Sequence, residues 1–215
     1  MPEALGDGDA RAVVLVEGVS DRAALAVLAR RRGMDLEGDG IEIVSMDGIT
    51  NIGHHLDHYC APGRDVRVTG LYDDAEERFV RRALIRVGLG GAEVDGVDQA
   101  EVLPRRELEA LGFYACSPDL EDELIRALGP HAVEEIVEAR GELRSFRRLQ
   151  RQPAQRSQSL HDQLRRLMSG RTGGKERYAA AMAAAVPLER VPRPLSAVLT
   201  HVQAALRGFP SGSEY

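Results

Sequence analysis

Four short apolar runs, each followed by a stretch with helical spacing, constrain this chain more than any other feature of its sequence. Val13 to Val16 (VVLV) is continuously apolar between Arg11 and Gly18, and apolar residues then recur at helical spacing from Asp21 to Arg32. Ile41 to Met46 repeats the strand signal, with a helix expected from Asn51 to Tyr59. A third strand is expected over Val66 to Leu71, ahead of a helix from Glu76 to Val87 that sets Phe79, Leu84 and Val87 on one face and arginines on the other. The fourth covers Phe113 to Cys116, followed by a helix from Asp119 to Leu128. The order β-α-β-α-β-α-β predicts an α/β fold: a mostly parallel four-stranded sheet with right-handed crossovers and helices on both faces. In such a sheet the carboxyl ends of the strands emerge at one edge, and ligands bind there, where the strand order reverses.

Beyond about residue 129 the strand signal ends. Helices are expected near His131 to Ala139, Leu160 to Met168, Lys175 to Ala185 and Leu195 to Leu206, with Pro187, Pro192 and Pro194 separating the last two. The Gly- and Asp-rich stretch Gly88 to Asp98 reads as a flexible loop. The expected organisation is a flexible N-terminus over 1–10, an α/β domain over 11–128, a helical extension over 129–208 that completes the site, and a disordered tail over 209–215. A length of 215 residues suits one sizeable core with such an appendage.

Several classes are disfavoured. No run approaches the ~18 to 20 consecutive apolar residues of a membrane span, and the acidic N-terminus lacks the apolar centre of a signal peptide, so a soluble, cytoplasmic protein with no membrane partner is expected. Cys60 and Cys116 have no paired spacing, which argues against a zinc site or a disulfide scaffold and reads as two buried thiols. With 4% aromatic residues and no tryptophan, a stacking platform for single strands is not expected. His54, His55 and His58 with Asp57 (HHLDH) lack the glutamate of a zinc-protease frame and a third ligand, and read as a solvated helix end.

The net charge of −6 argues against a nucleic-acid partner until its distribution is considered. Between Arg140 and Arg177, ten arginines and Lys175 face only Glu142, Asp162 and Glu176, a local excess of eight positive charges beside an acidic body. A solvated helix face is the plain interpretation of such a run; the functional one is a surface for phosphates, with Arg144, Arg147, Arg148, Arg151, Arg165 and Arg171 contacting DNA.

The carboxylates carry the chemistry. Glu17 directly follows the first strand, Asp73 and Asp74 the third, and Asp119, Glu121 and Asp122 the fourth. If the strands are parallel these acids converge, and their repulsion calls for a cation among them; hard oxygen ligands favour Mg²⁺ or Mn²⁺. Each acid also has a local role to weigh. Ser20 and Asp21 open a helix, Glu76 and Glu77 open another, and Asp119 suits a helix cap after Pro118. Glu17, placed after four apolar residues and before a glycine, gains nothing from packing.

The segment VVLVEGVSDRAALAVLA resembles the first motif of TOPRIM domains, and its VEG-x-S-D form is similar to that of the OLD (overcoming lysogenization defect) nucleases. The resemblance, extending over about residues 11 to 200, implies a Rossmann-like TOPRIM sheet with Glu17 as the strand-end glutamate and Asp21 as the second acid of two-metal members. In VRVTGLYDDAEE, Asp73 matches the first aspartate of the Asp-x-Asp element, whereas Ala75 stands at the second; Asp74 or Glu76 is left to supply that ligand. PDLEDELIRAL resembles the Leu-Glu element and places Glu121 on its acid. GGKERYAAAMA resembles the Lys-bearing helix that closes the OLD active site, with Lys175, the single lysine among 28 basic residues, at its lysine.

The implied activity is Mg²⁺- or Mn²⁺-dependent cleavage of DNA by a bacterial nuclease, with Glu17, Asp73 and Lys175 catalytic and Glu17, Asp21, Asp73, Asp74, Glu76, Asp119 and Glu121 as candidate ligands. Topoisomerase and primase activities, which share the TOPRIM core, need further domains. Larger OLD proteins add an ATPase domain, but SGRTGGKER has Ser169 and Glu176 where a phosphate loop needs Gly and Ser or Thr. No nucleotide is expected on this chain, and a separately encoded ATPase is the implied partner; a homodimer is left open. The alternative is a catalytically weakened TOPRIM subunit that binds nucleic acid or such an ATPase.

Overall fold

All four apolar runs become strands of one sheet: β1 (Ala12–Val16), β2 (Ile41–Ser45), β3 (Arg67–Asp73) and β4 (Phe113–Cys116), in the spatial order β2-β1-β3-β4 and parallel throughout. The expected α/β fold is borne out in a computed structural model that describes residues 10–90, 103–170 and 173–207. The flexible segment expected over 1–10 lies outside those residues except for Ala10. So do the tail over 209–215, Arg171, and the loop beyond Gly90.

Between and after the strands run α1 (Val19–Arg31), α2 (Ile52–Tyr59), α3 (Glu77–Arg86), α4 (Arg105–Ala110), α5 (Leu120–Leu128), α6 (Pro130–Ala139), α7 (Leu143–Gln150), α8 (Leu160–Ser169), α9 (Gly174–Ala185) and α10 (Arg193–Arg207). Every residue of β1 is fully buried. Its alternate side chains enter two cores: Ala12, Val14 and Val16 pack with α1, α5 and α6 and the later helices α8, α9 and α10, while Val13 and Leu15 pack with α2, α3 and α4. Burial on both faces is why this strand is continuously apolar rather than alternating.

The helices after Leu128 share the first of these cores with the sheet itself. Helix α10 lies against β1, β3 and β4, and α9 runs along α1. The sequence of α9, GKERYAAAMAAA, suits this close contact because alanines bring the two backbones together. Arg32 ties α1 to the first turn of α10 by donating to the Ser196 carbonyl (3.1 Å) and hydroxyl (2.6 Å), and Arg31 fastens the far end of α9 by donating to the carbonyls of Ala183 (2.7 Å) and Val186 (2.6 Å). Cation donors at a helix C-terminus satisfy carbonyls that have no partner within the helix.

Two expectations need correction. His55 is 8% exposed and stacks near Tyr59, so the HHLDH helix is only partly solvated: its position over the sheet buries one face. Cys116 is buried, but Cys60, at the end of α2, is only half-buried. Helices α4 and α7 do not follow from apolar spacing; each is anchored by one buried apolar residue, Leu108 and Phe146.

Candidate active site

Strand order reverses at β1, because β2 lies on one side of it and β3 on the other. The carboxyl ends of β1 and β3 therefore flank a crevice, and both carry an acid: Glu17 follows the last residue of β1, and Asp73 is the last residue of β3, which runs two residues past its expected end. A cleft of about 440 Å³ opens there. Glu17, Asp21, Asp73, Glu121 and Lys175 all line it, so five sequence-predicted residues meet although they span more than 150 positions. Asp47 and Glu176 line it as well, and neither is singled out by the sequence.

Local structure explains each placement. Gly18, in extended conformation, caps α1, and its N–H donates to Asp21 Oδ2 (3.0 Å). Asp21 thus fills its expected helix-start role and faces the cleft at once, at 8% exposure. Asp47 follows β2 with φ of 54°, a left-handed conformation that Asp tolerates better than most residues. The adjacent Gly48 N–H donates to the Glu17 carbonyl (2.9 Å), holding that turn against β1. Glu121 sits in the first turn of α5 and is 6% exposed. Lys175 is the second residue of α9, which begins after a left-handed Gly173 (φ 67°); its Nζ lies 3.5 Å from Glu121 Oε1.

The remaining candidate ligands are engaged differently. Asp74 pairs with Arg105, which also holds Glu77. Glu76 faces Glu17 closely enough to disfavour its ionisation. Asp119 caps α5 by accepting the Asp122 N–H (2.9 Å) and pairs with Arg165. Of the expected DNA contacts, Arg144, Arg147, Arg148 and Arg151 are exposed, and Arg147 pairs with Glu134.

Electrostatics set this cleft apart from the rest of the surface. Burial first, then the charges of Asp21, Glu17, Asp119 and Glu121, push the Asp73 carboxyl up to about 8. Burial raises Asp21 to about 7 against the opposing Gly18 N–H, with Glu121 and Glu17 adding to the rise. Burial, Glu76 and Glu121 also raise Glu17, while Lys175 lowers it. Such strained ionisation in a cleft marks functional sites. Among the described residues, no three acidic, histidine or cysteine side chains stand close enough to grip an ion. The donor set nevertheless fits a divalent cation. Glu17 Oε2 and Glu121 Oε1 are buried atoms with no hydrogen bond, and all the acids offer hard oxygens.

A parallel four-stranded sheet with acids at the ends of the two strands that flank its switch point, closed by later helices, is the TOPRIM arrangement. A sequence model described as "Overcoming lysogenization defect protein-like, TOPRIM domain" matches residues 10–68. The C-terminal region of the OLD protein of Xanthomonas campestris pv. campestris, in a structure phased with platinum, superposes with a TM-score of 0.70 at 27% identity, over 92% of this chain and 94% of that one. The corresponding region of the Burkholderia pseudomallei OLD protein shares the fold, with a TM-score of 0.64 at 22% identity over 93% of this chain and 100% of that one. Comparison with curated proteins gives no match. Residues 10–68 therefore match an OLD-like TOPRIM domain, and the chain has the fold of the OLD C-terminal region across nine-tenths of its length. No helix among the described residues is long and apolar enough to cross a membrane.

Proposed function

We propose that this chain is a Mg²⁺- or Mn²⁺-dependent nuclease that hydrolyses DNA phosphodiester bonds at the acidic cleft, by the two-metal route. The observation that carries the reading is the meeting of Glu17, Asp21, Asp73, Glu121 and Lys175 around one cleft at the switch point of the sheet. Glu17 and Asp73 would hold one ion, with Glu76 beside Glu17; Asp21 and Glu121 would hold the second. Bound there, divalent ions supply Lewis acidity and lower the pKa of a water. With Asp73 raised to about 8 and Asp21 to about 7, both carry protons over part of the neutral range while the cleft lacks added positive charge, and are suited to release them as they become ligands. Lys175 places a lasting positive charge where negative charge gathers on the phosphate. Exposed Arg144, Arg148 and Arg151 position the DNA backbone without reading sequence.

A second reading, a weakened TOPRIM subunit that binds nucleic acid or an ATPase partner, is favoured by Ala75 and by the engagement of Asp74 with Arg105. The single lysine of these 215 residues lies in no phosphate loop, so they offer no such site for ATP. A plasmid-nicking assay with Mg²⁺ and with Mn²⁺ separates the two readings. The nuclease reading expects cleavage that Glu17→Ala lowers by at least about 100-fold. No cleavage by the wild type with either metal at low salt supports the weakened subunit.

A further inference from the structure

The cleft is unevenly charged. Glu17, Asp21, Asp47, Asp73, Glu121 and Glu176 line it, and Lys175 is the one cationic side chain among its described lining residues. Two neighbouring acids at the start of α5 are held from α8: the cap Asp119 by Arg165, and Asp122 by His161 at 2.7 Å. The contact of Lys175 with Glu121 is of another kind. At 3.5 Å it leaves Glu121 Oε1, a buried atom, without a hydrogen bond. The lysine side chain is 55% exposed while that of Glu121 is 8% exposed, so the ammonium can withdraw into water and the carboxylate cannot.

We infer that Lys175 is the resident counter-ion of the cleft, occupying the cation's place at Glu121 until a divalent metal displaces it toward the substrate phosphate. A cation stabilises a buried carboxylate that faces other acids, and an ammonium at 3.5 Å supplies part of that stabilisation. A divalent ion contacting the same oxygen supplies more and repels the ammonium. Lys175 also shares the lining of the cleft with Glu17, another of the acids that would hold metal. Such an exchange would order events, with Lys175 leaving Glu121 for the phosphate once Glu121 held a divalent ion. This inference rests on the metal-site reading.

The test is Mn²⁺ binding to the full chain without DNA, followed by calorimetry and by electron paramagnetic resonance, in the wild type, Lys175→Met, Glu121→Gln and the double variant. Lys175→Met should tighten Mn²⁺ binding about tenfold, within the range of couplings between contacting groups. In the Glu121→Gln background the same change should have a clearly smaller effect, which general electrostatics would not produce. Thermal melting checks that the variants fold, as expected for an exposed lysine. Lys175 is the lone lysine, so ¹³C methylation, which keeps its charge, gives a single side-chain signal that Mg²⁺ should shift. Mn²⁺ binding of equal or weaker affinity in Lys175→Met, or the same tightening in both backgrounds, overturns this inference alone. Absence of binding in every form overturns the metal-site reading together with it.

Discussion

Asp73 is the residue at which the competing demands of this cleft are most visible. Burial and four neighbouring carboxylates lift it to about 8, far from the ordinary 3.8, and Asp21 reaches about 7 for related reasons. Because the folded-state pKa lies above the unfolded one, the folded chain holds these protons more tightly. The stabilisation is complete below about pH 4 and is lost as pH rises through 7 to 8. Metal-free protein should therefore gain from Asp73→Asn at pH 8, by about 1–3 kcal/mol after allowing for solvent screening, or roughly 2–10 °C in Tm. At about pH 4.5 the gain should nearly vanish. Thermal melts in chelator at both pH values check this; a gain equal at both would mean that side-chain packing, not charge, governs the position. The same variant should lose divalent-metal binding.

At the scale of elements, α9 matters most, because it carries Lys175 to the cleft while belonging to a different part of the chain from the acids. Its far end is held by Arg31 through two short hydrogen bonds to Ala183 and Val186. Arg31→Ala should cost about 1–3 kcal/mol, since charge-assisted hydrogen bonds exceed neutral ones. It should also loosen the registry of α9 on α1, lowering nicking activity even at temperatures where the fold is intact; melting curves and activity measured at about 20 °C test both parts. Unchanged stability would show that alanine packing alone seats α9. Much of this arrangement is legible in sequence: the β1 run, its glutamate and the helix after it follow from apolar continuity and spacing. Helix α7 is less so, because its pattern is arginine-rich with Phe146 as its single fully buried residue. Nor can local spacing reveal that α9 lies along α1, or that Asp47 lines the cleft, since both depend on contacts between distant segments and on a left-handed turn.

Across the whole molecule, the basic segment divides into paired and exposed arginines that its sequence presents as one run. Arg165 is pinned to Asp119 beside the cleft and Arg147 to Glu134, whereas Arg144, Arg148 and Arg151 stand exposed. Replacing the three exposed arginines with alanine should flatten the log–log salt dependence of DNA affinity by roughly 0.9 for each phosphate no longer neutralised, with little change in Tm. Arg165→Ala should do the reverse, lowering stability by about 1–2 kcal/mol with the salt slope nearly intact. Fluorescence anisotropy over a salt series, paired with melts, separates these outcomes; equal slopes in all variants would remove the DNA-facing role of this face.

The convergence of carboxylates at the ends of β1 and β3 underlies every one of these expectations, and anomalous diffraction from crystals of the full chain soaked in Mn²⁺ tests it most directly. At least one manganese peak in contact with both Glu17 and Asp73 is predicted, with a second expected beside Asp21 and Glu121. A cleft free of manganese, or ions held only elsewhere on the surface, would contradict the account.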